Sequence, residues 1–296
     1  MKIINNIPNI LRQIVVFSGL IVLVVSCRPK PIDIDLEQAP PKLVISSQIV
    51  PNAFTIITVS KSFAALESSE GSADDSTTNS FIDQLMVKEA KVSISYNNTK
   101  NDLYKLPDAP GIYTSFAIPH IVNTEYTLNV YDPETGMSVS AKAIMLKTIP
   151  FDSISATRGE GEDSSNVIVH IAFTDPGDEV NWYLINFYTS KKDSSQQGSL
   201  FEKQTASEVS VLLSDESFDS PSVSGQKTMY NWSSDTLFAS ISNISQAYYD
   251  YLLARKKSGG IVSSMLSEPI SYPSNVNGGY GFFTTHFPYI QAVVVE

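Results

Sequence analysis

The residues able to move protons, attack an electrophile or hold a metal are few and scattered in this chain. There are three histidines, His120, His170 and His286, and none stands in an HExxH arrangement or at another close metal-ligand spacing. His170 lies inside the apolar run VIVHIAF, where a strand histidine packs or edges a sheet. No GxSxG nucleophile elbow is present, and Gly278-Gly-Tyr-Gly281 lacks the GK[ST] ending of a phosphate loop. Two acidic stretches, GEGED at 159–163 and DPGDE at 175–179, gather carboxylates that could meet calcium. Neither follows the EF-hand loop, and polar turns have the same composition. A glycosidase would need two carboxyl groups roughly 5–10 Å apart, a spatial relation that no residue pair here advertises. The expectation is a non-enzyme with no catalytic residue, no metal and no cofactor. A hydrolase with a hidden carboxylate pair is the alternative.

Cys27 is the one cysteine among 296 residues, which excludes an internal disulfide framework and a cysteine-rich metal site. It follows an apolar run at residues 14–25, preceded by Lys2 and Arg12. Twelve helical residues span about 18 Å against a hydrocarbon core of about 30 Å, so residues 1–26 fit a signal peptide better than an anchor helix. The ending Val24-Val25-Ser26-Cys27 resembles a bacterial lipobox, in which the cysteine is acylated and becomes the new amino terminus. Lipidation of Cys27 would hold the chain on a membrane at about 0.8 kcal/mol per buried methylene. The alternative is a secretory peptide whose cysteine is incidental. Residues 27–41 carry Pro29, Pro31, Pro40 and Pro41 with Asp33, Asp35 and Glu37, the composition of a stiff, extended acidic tether. Such acidity resembles surface-export signals, and an ordinary polar linker would look similar.

The formal charge is −11. Beyond residue 26 there remain 18 Lys and Arg against 31 Asp and Glu, a balance of −13. An acidic surface opposes binding to a phosphate backbone, so nucleic acid is not an expected partner.

Positioning elements are mainly β. Runs at 42–50 and 54–60 are rich in β-branched residues and are separated by Pro51-Asn52. Residues 64–79 are small, polar and acidic, as in a long surface loop. Strand patterning returns at 90–96, 102–106, 111–115, 125–131 and 138–146, the last two joined by the turn Asp132-Pro-Glu-Thr-Gly136. These make an immunoglobulin- or transthyretin-like sandwich over 42–147. Residues 148–296 form a second β-rich domain, with strands expected at 151–158, 166–173, 181–189, 208–213, 235–241 and 291–295. Residues 190–235 are otherwise irregular and 269–281 are turn-rich. One amphipathic helix is expected near 243–257, capped by Asn243 and stopped by Gly259, with Ile244, Ala247, Tyr248, Tyr251 and Leu252 on one face. The aromatic segment Gly278 to Phe283, with Tyr280, Phe282 and Phe283, is the candidate binding surface. The same glycines and aromatics could serve a turn and a core.

In order, IDIDLEQAPPKLVI, FTIITVSKS, KVSISYNN, TEYTLNVYDPETGMSVSAKAIM, FTDPGDEVNWYLINFY and PSNVNGGYGFF resemble the Bacteroidota outer-membrane lipoproteins grouped as a domain of unknown function of the 4249 series. That resemblance implies a surface-facing accessory lipoprotein of the outer membrane that works beside a SusC-type TonB-dependent transporter. It supplies no catalytic residues. A fimbrillin-like structural or adhesive lipoprotein is the competing expectation.

Overall fold

The computed structural model describes residues 40–50, 54–62, 85–177, 179–189, 209–218, 220–257 and 272–296. The signal segment, Cys27, most of the tether and the acidic stretch 64–79 lie outside the described residues.

β-branched and aromatic patterning produces four sheets, arranged over two hydrophobic cores. The first sandwich begins with β1 (Leu43–Val50), β2 (Phe54–Lys61), β3 (Lys91–Tyr96), β4 (Thr99–Asp102), β5 (Tyr104–Lys105) and β6 (Ile112–Ser115). It continues through β7 (Glu125–Tyr131) and β8 (Ser138–Ile144). In β7 the alternation is strict: Tyr126, Leu128 and Val130 are buried while Glu125, Asn129 and Tyr131 face out. Its turn is closed by Asp132, whose carboxylate accepts from Glu134 N–H (3.1 Å) and Thr135 Oγ1 (2.7 Å), while Gly136 takes φ +74°. Tyr126 donates its hydroxyl to Pro119 O at 2.6 Å, a tyrosine-corner arrangement of immunoglobulin type.

The second set follows as β9 (Ser153–Arg158), β10 (Val167–Thr174), β11 (Trp182–Tyr188), β12 (Val209–Ser214), β13 (Ser222–Met229) and β14 (Thr236–Ile244). Core membership changes between Met145, in the first core, and Ile149, in the second. β13, SVSGQKTM, lies in a stretch that reads as irregular, because it is an edge strand with almost no buried side chain. Its partner β10 supplies the apolar face through Val167, Val169 and Phe173.

Helix α1 spans Gln246–Lys257 and starts later than the sequence suggests. Asn243 is not its cap. It lies in β14, buried, with its side-chain amide donating to Asn181 Oδ1 just before the neighbouring strand β11 (2.9 Å). Ile244 is likewise a core residue of β14 rather than part of a helix face. Ser245 takes the capping role, its Oγ accepting from Tyr248 N–H at 3.3 Å.

After α1 the chain returns to the first sandwich. β15 (Val276–Asn277) pairs with β8, and β16 (Tyr280–Phe282) runs parallel to β1. Residues 276–283, which the sequence assigns to the second domain, therefore complete the first core through Val276 and Phe283. Next, β17 (Tyr289–Val294) crosses back to pair with β14. Residues 40–296 thus form one compact unit in which the two cores are interlaced.

The return strand needs glycine. A Cβ on Gly281, at φ +98°, would stand 1.9 Å from Ile45 O, and one on Gly279 would stand 2.4 Å from Leu43 O. Replacing Gly281 with Ala is expected to cost more than about 2 kcal/mol of unfolding free energy. Gly225→Ala in β13, where a Cβ meets nothing within 4 Å, should change it by less than about 0.5 kcal/mol. Urea unfolding of both variants checks the contrast.

Candidate functional site

The segment PSNVNGGYGFF is built as a clasp. Ser274 Oγ accepts from Val276 N–H (3.2 Å) and donates to Gly281 O (2.8 Å), folding the segment back on itself. Asn275 imitates a strand: its Oδ1 accepts from Phe283 N–H (2.9 Å), while its Nδ2 donates to Phe283 O (2.7 Å) and Lys142 O (3.0 Å). Thr284 N–H then donates to Ser47 Oγ at 2.7 Å. Of the three aromatic residues expected at a binding surface, Phe283 is wholly buried and Phe282 is 4 % exposed. Both pack inside, and neither projects into open solvent. Tyr280 remains available, at 46 % exposure.

Phe282 anchors helix α1. The rings of Tyr248 and Tyr251 lie 5.1 and 5.3 Å from it, and His286 stacks on Tyr248 at 5.4 Å. Burial pushes the Tyr248 phenol up to about 12, with Tyr251 adding to the shift and Arg255 opposing it. Burial lowers His286 to about 4, so it is neutral at pH 7. Its Nδ1 lies 3.0 Å from Thr284 Oγ1.

Two concavities flank this aromatic seam. One, of about 450 Å³, has Ile144, Val180, Trp182, Gln246, Phe282 and His286 in its wall, and Ile144 and Val180 are more than half exposed. The other, of about 490 Å³, lies against the later turns of α1 and includes Tyr280. Volumes of this size are ordinary for small-ligand sites.

The other sequence candidates lie elsewhere on the fold. In FTDPGDEVNWY, buried Asp175 accepts from the Tyr183 hydroxyl and from Asn181 Nδ2 (3.4 Å). Asn181 N–H donates to Asp215 Oδ2 at 2.8 Å. Burial, then the Asp175 carboxylate, raises the Tyr183 phenol far above its ordinary value. Asp175, Pro176 and Glu179 are thus held by a protein network linking β11, β14 and the turn after β12. In GEGED, Asp163 Oδ1 accepts from Asn166 Nδ2 (3.0 Å), closing a polar turn. His120 stacks on Phe287 at 4.5 Å, and His170 is exposed on β10. Among the described residues, no three His, Cys, Asp or Glu side chains are placed to hold a metal. Cys27 lies outside the described residues. What sequence reasoning missed is the set Tyr251, Tyr272 and Arg255, which meets Tyr280 around one cavity only because α1 packs on β16.

Two outcomes follow. Tyr183→Phe removes a donor from a buried carboxylate and should lower unfolding free energy by about 1–3 kcal/mol in urea titrations. For His286 the folded value is lower than the unfolded one near 6.5, so the unfolded chain takes the proton first as pH falls. Its contribution is intact above about pH 6.5 and is lost progressively towards pH 4, at no more than about 1.4 kcal/mol per pH unit. The stability slope between pH 6.5 and 5 should therefore be shallower in His286→Gln.

No curated protein matches the chain in sequence. Among solved structures, the FN1–FN3 domains of chicken CNTN1 align over 87% of this chain and 67% of that one, at 8% identity and a TM-score of 0.20. Residues 29–286 match the family described as "Domain of unknown function (DUF4249)". That match covers almost everything after Cys27, including the PSNVNGGYGFF clasp and the Asp175 network. The chain therefore belongs to the DUF4249 family.

Proposed function

We propose that the mature protein is a non-enzymatic lipoprotein, held at the outer membrane by acyl chains on Cys27 and facing outward. It would assist a TonB-dependent transporter of SusC type in capturing nutrients. The observation that carries this reading is the placement of Cys27: the sole cysteine ends an apolar run too short to span a bilayer and opens a proline-rich tether. The folded body at the far end of that tether suits a fixed platform. Its two cores share the chain segment 276–294, so neither can swing freely from the other.

The fimbrillin-like alternative requires the first strand to leave its sheet for a donor strand. Here β1 is paired along all eight residues with β2 and, through Val44–Ser46, with β16. Releasing it would open the first core, which argues for a body that stays intact.

Cys27→Ser should transfer the protein from the membrane pellet to the soluble fraction. Retention in the pellet would overturn lipid anchoring. Affinity isolation of the wild-type protein from outer membranes in mild detergent should bring down a TonB-dependent barrel. Recovery of the lipoprotein without any barrel would overturn the accessory role.

A further inference from the structure

We propose that the concavity between β16 and the later turns of α1 binds an acidic sugar. The wall consists of Val44, Tyr251, Arg255, Tyr272, Ser274 and Tyr280, around about 490 Å³. Three phenol rings thus face one space with a single aliphatic side chain. Tyr251 is fixed, its ring meeting Phe282 at 5.3 Å and the edge of Tyr272 at 6.4 Å. Tyr272 and Tyr280 keep 43% and 46% of their surface in water. Flat aromatic faces bind a pyranose ring through its C–H face, and hydroxyl groups at their edges meet the sugar's own hydroxyls. The phenol tips and Ser274 supply that edge chemistry, although Ser274 Oγ also bonds to Gly281 O.

Charge selects the acidic kind of sugar. The chain carries −11, yet Arg255 lines this space and a second cation, Lys42, lies over Tyr280 in its wall. Lys42 Nζ lies 5.0 Å from the centre of the Tyr280 ring, and the Arg255 guanidinium lies 5.7 Å from that of Tyr251. A carboxylate on a stacked ring would meet Arg255 in charge-assisted hydrogen bonds. Lys256 and Lys257 extend the positive charge at the end of α1, where they also complement the helix dipole. An acidic peptide fits less well. The β1 edge beside the cleft is already occupied by β16 at Val44–Ser46, so no peptide strand can be added there.

This site deepens the proposed capture role, since it names a class of nutrient, and it rests on that reading only for the outward orientation. The test is calorimetric titration of the detergent-solubilised, lipidated protein with tetragalacturonate, maltotetraose and tetraglutamate. Tetragalacturonate should bind, and the neutral sugar and the acidic peptide should each bind about tenfold more weakly or worse, a gap of about 1.4 kcal/mol. Tyr280→Ala and Arg255→Gln should each weaken tetragalacturonate binding about tenfold, with the melting temperature preserved. If Tyr280→Ala melts early, Tyr272→Ala, outside the sheets, gives the same reading. Equal binding of tetraglutamate would identify a charge-only or peptide site and overturn the proposal. Absent binding, or unaltered binding in the variants, would also overturn it. If the sugar fails while the barrel co-isolates, the sugar site falls and the transporter role stands.

Discussion

The backbone of β16 lies against the backbone of β1 so closely that no side chain fits between them. Gly281 is the point of contact, and a methyl group there would collide with Ile45 O. Much of what joins the halves of the molecule runs through this approach. It brings Phe283 into the first core, sets Phe282 beneath α1, and leaves Tyr280 outside. A glycine in a strand is usually a weakness, but here its bareness is the requirement. The Asn275 clasp then holds the segment in register by supplying the hydrogen bonds that a longer strand would have made.

The aromatic seam has a corresponding economy. Tyr248, Tyr251, Phe282 and His286 form one layer that secures the helix to the sheet. The described helix has no fully buried residue, so its attachment rests on its half-buried tyrosines against Phe282 rather than on a broad apolar face. The same layer borders two hollows, one walled by Trp182, His286 and a mixture of apolar and polar side chains and one by phenols and a guanidinium. A ligand on the phenol side would therefore press on the element that keeps α1 in place.

Much of the sheet architecture can be read from the residues. The alternation in EYTLNVY and the Asp132–Gly136 turn define β7 and β8 directly. Regular period-2 patterning works wherever one face is buried and the other is wet. It fails at β13, whose side chains are almost all solvated, and at β15 and β16, which are too short to show a period. At Asn243 a good helix-capping residue is drawn into a strand because Asn181 offers its carbonyl oxygen. Local preference lost to a partner that is 62 residues away. The candidate site was legible only at Tyr280, since Tyr251, Tyr272 and Arg255 join it through tertiary packing. Cys27 carries its meaning in sequence context alone.

The bond from Thr284 N–H to Ser47 Oγ spans 237 positions of the chain. During synthesis the first sandwich therefore exists without Val276, Phe283 and one flank of β1 until residues 276–283 have emerged. The amino-terminal half cannot complete its core ahead of the rest, as an independent bead on a string would. Closing so long a loop is slow, and the two halves must mature together. Such late closure keeps the leading part of the chain open until the segment around residues 276–284 arrives.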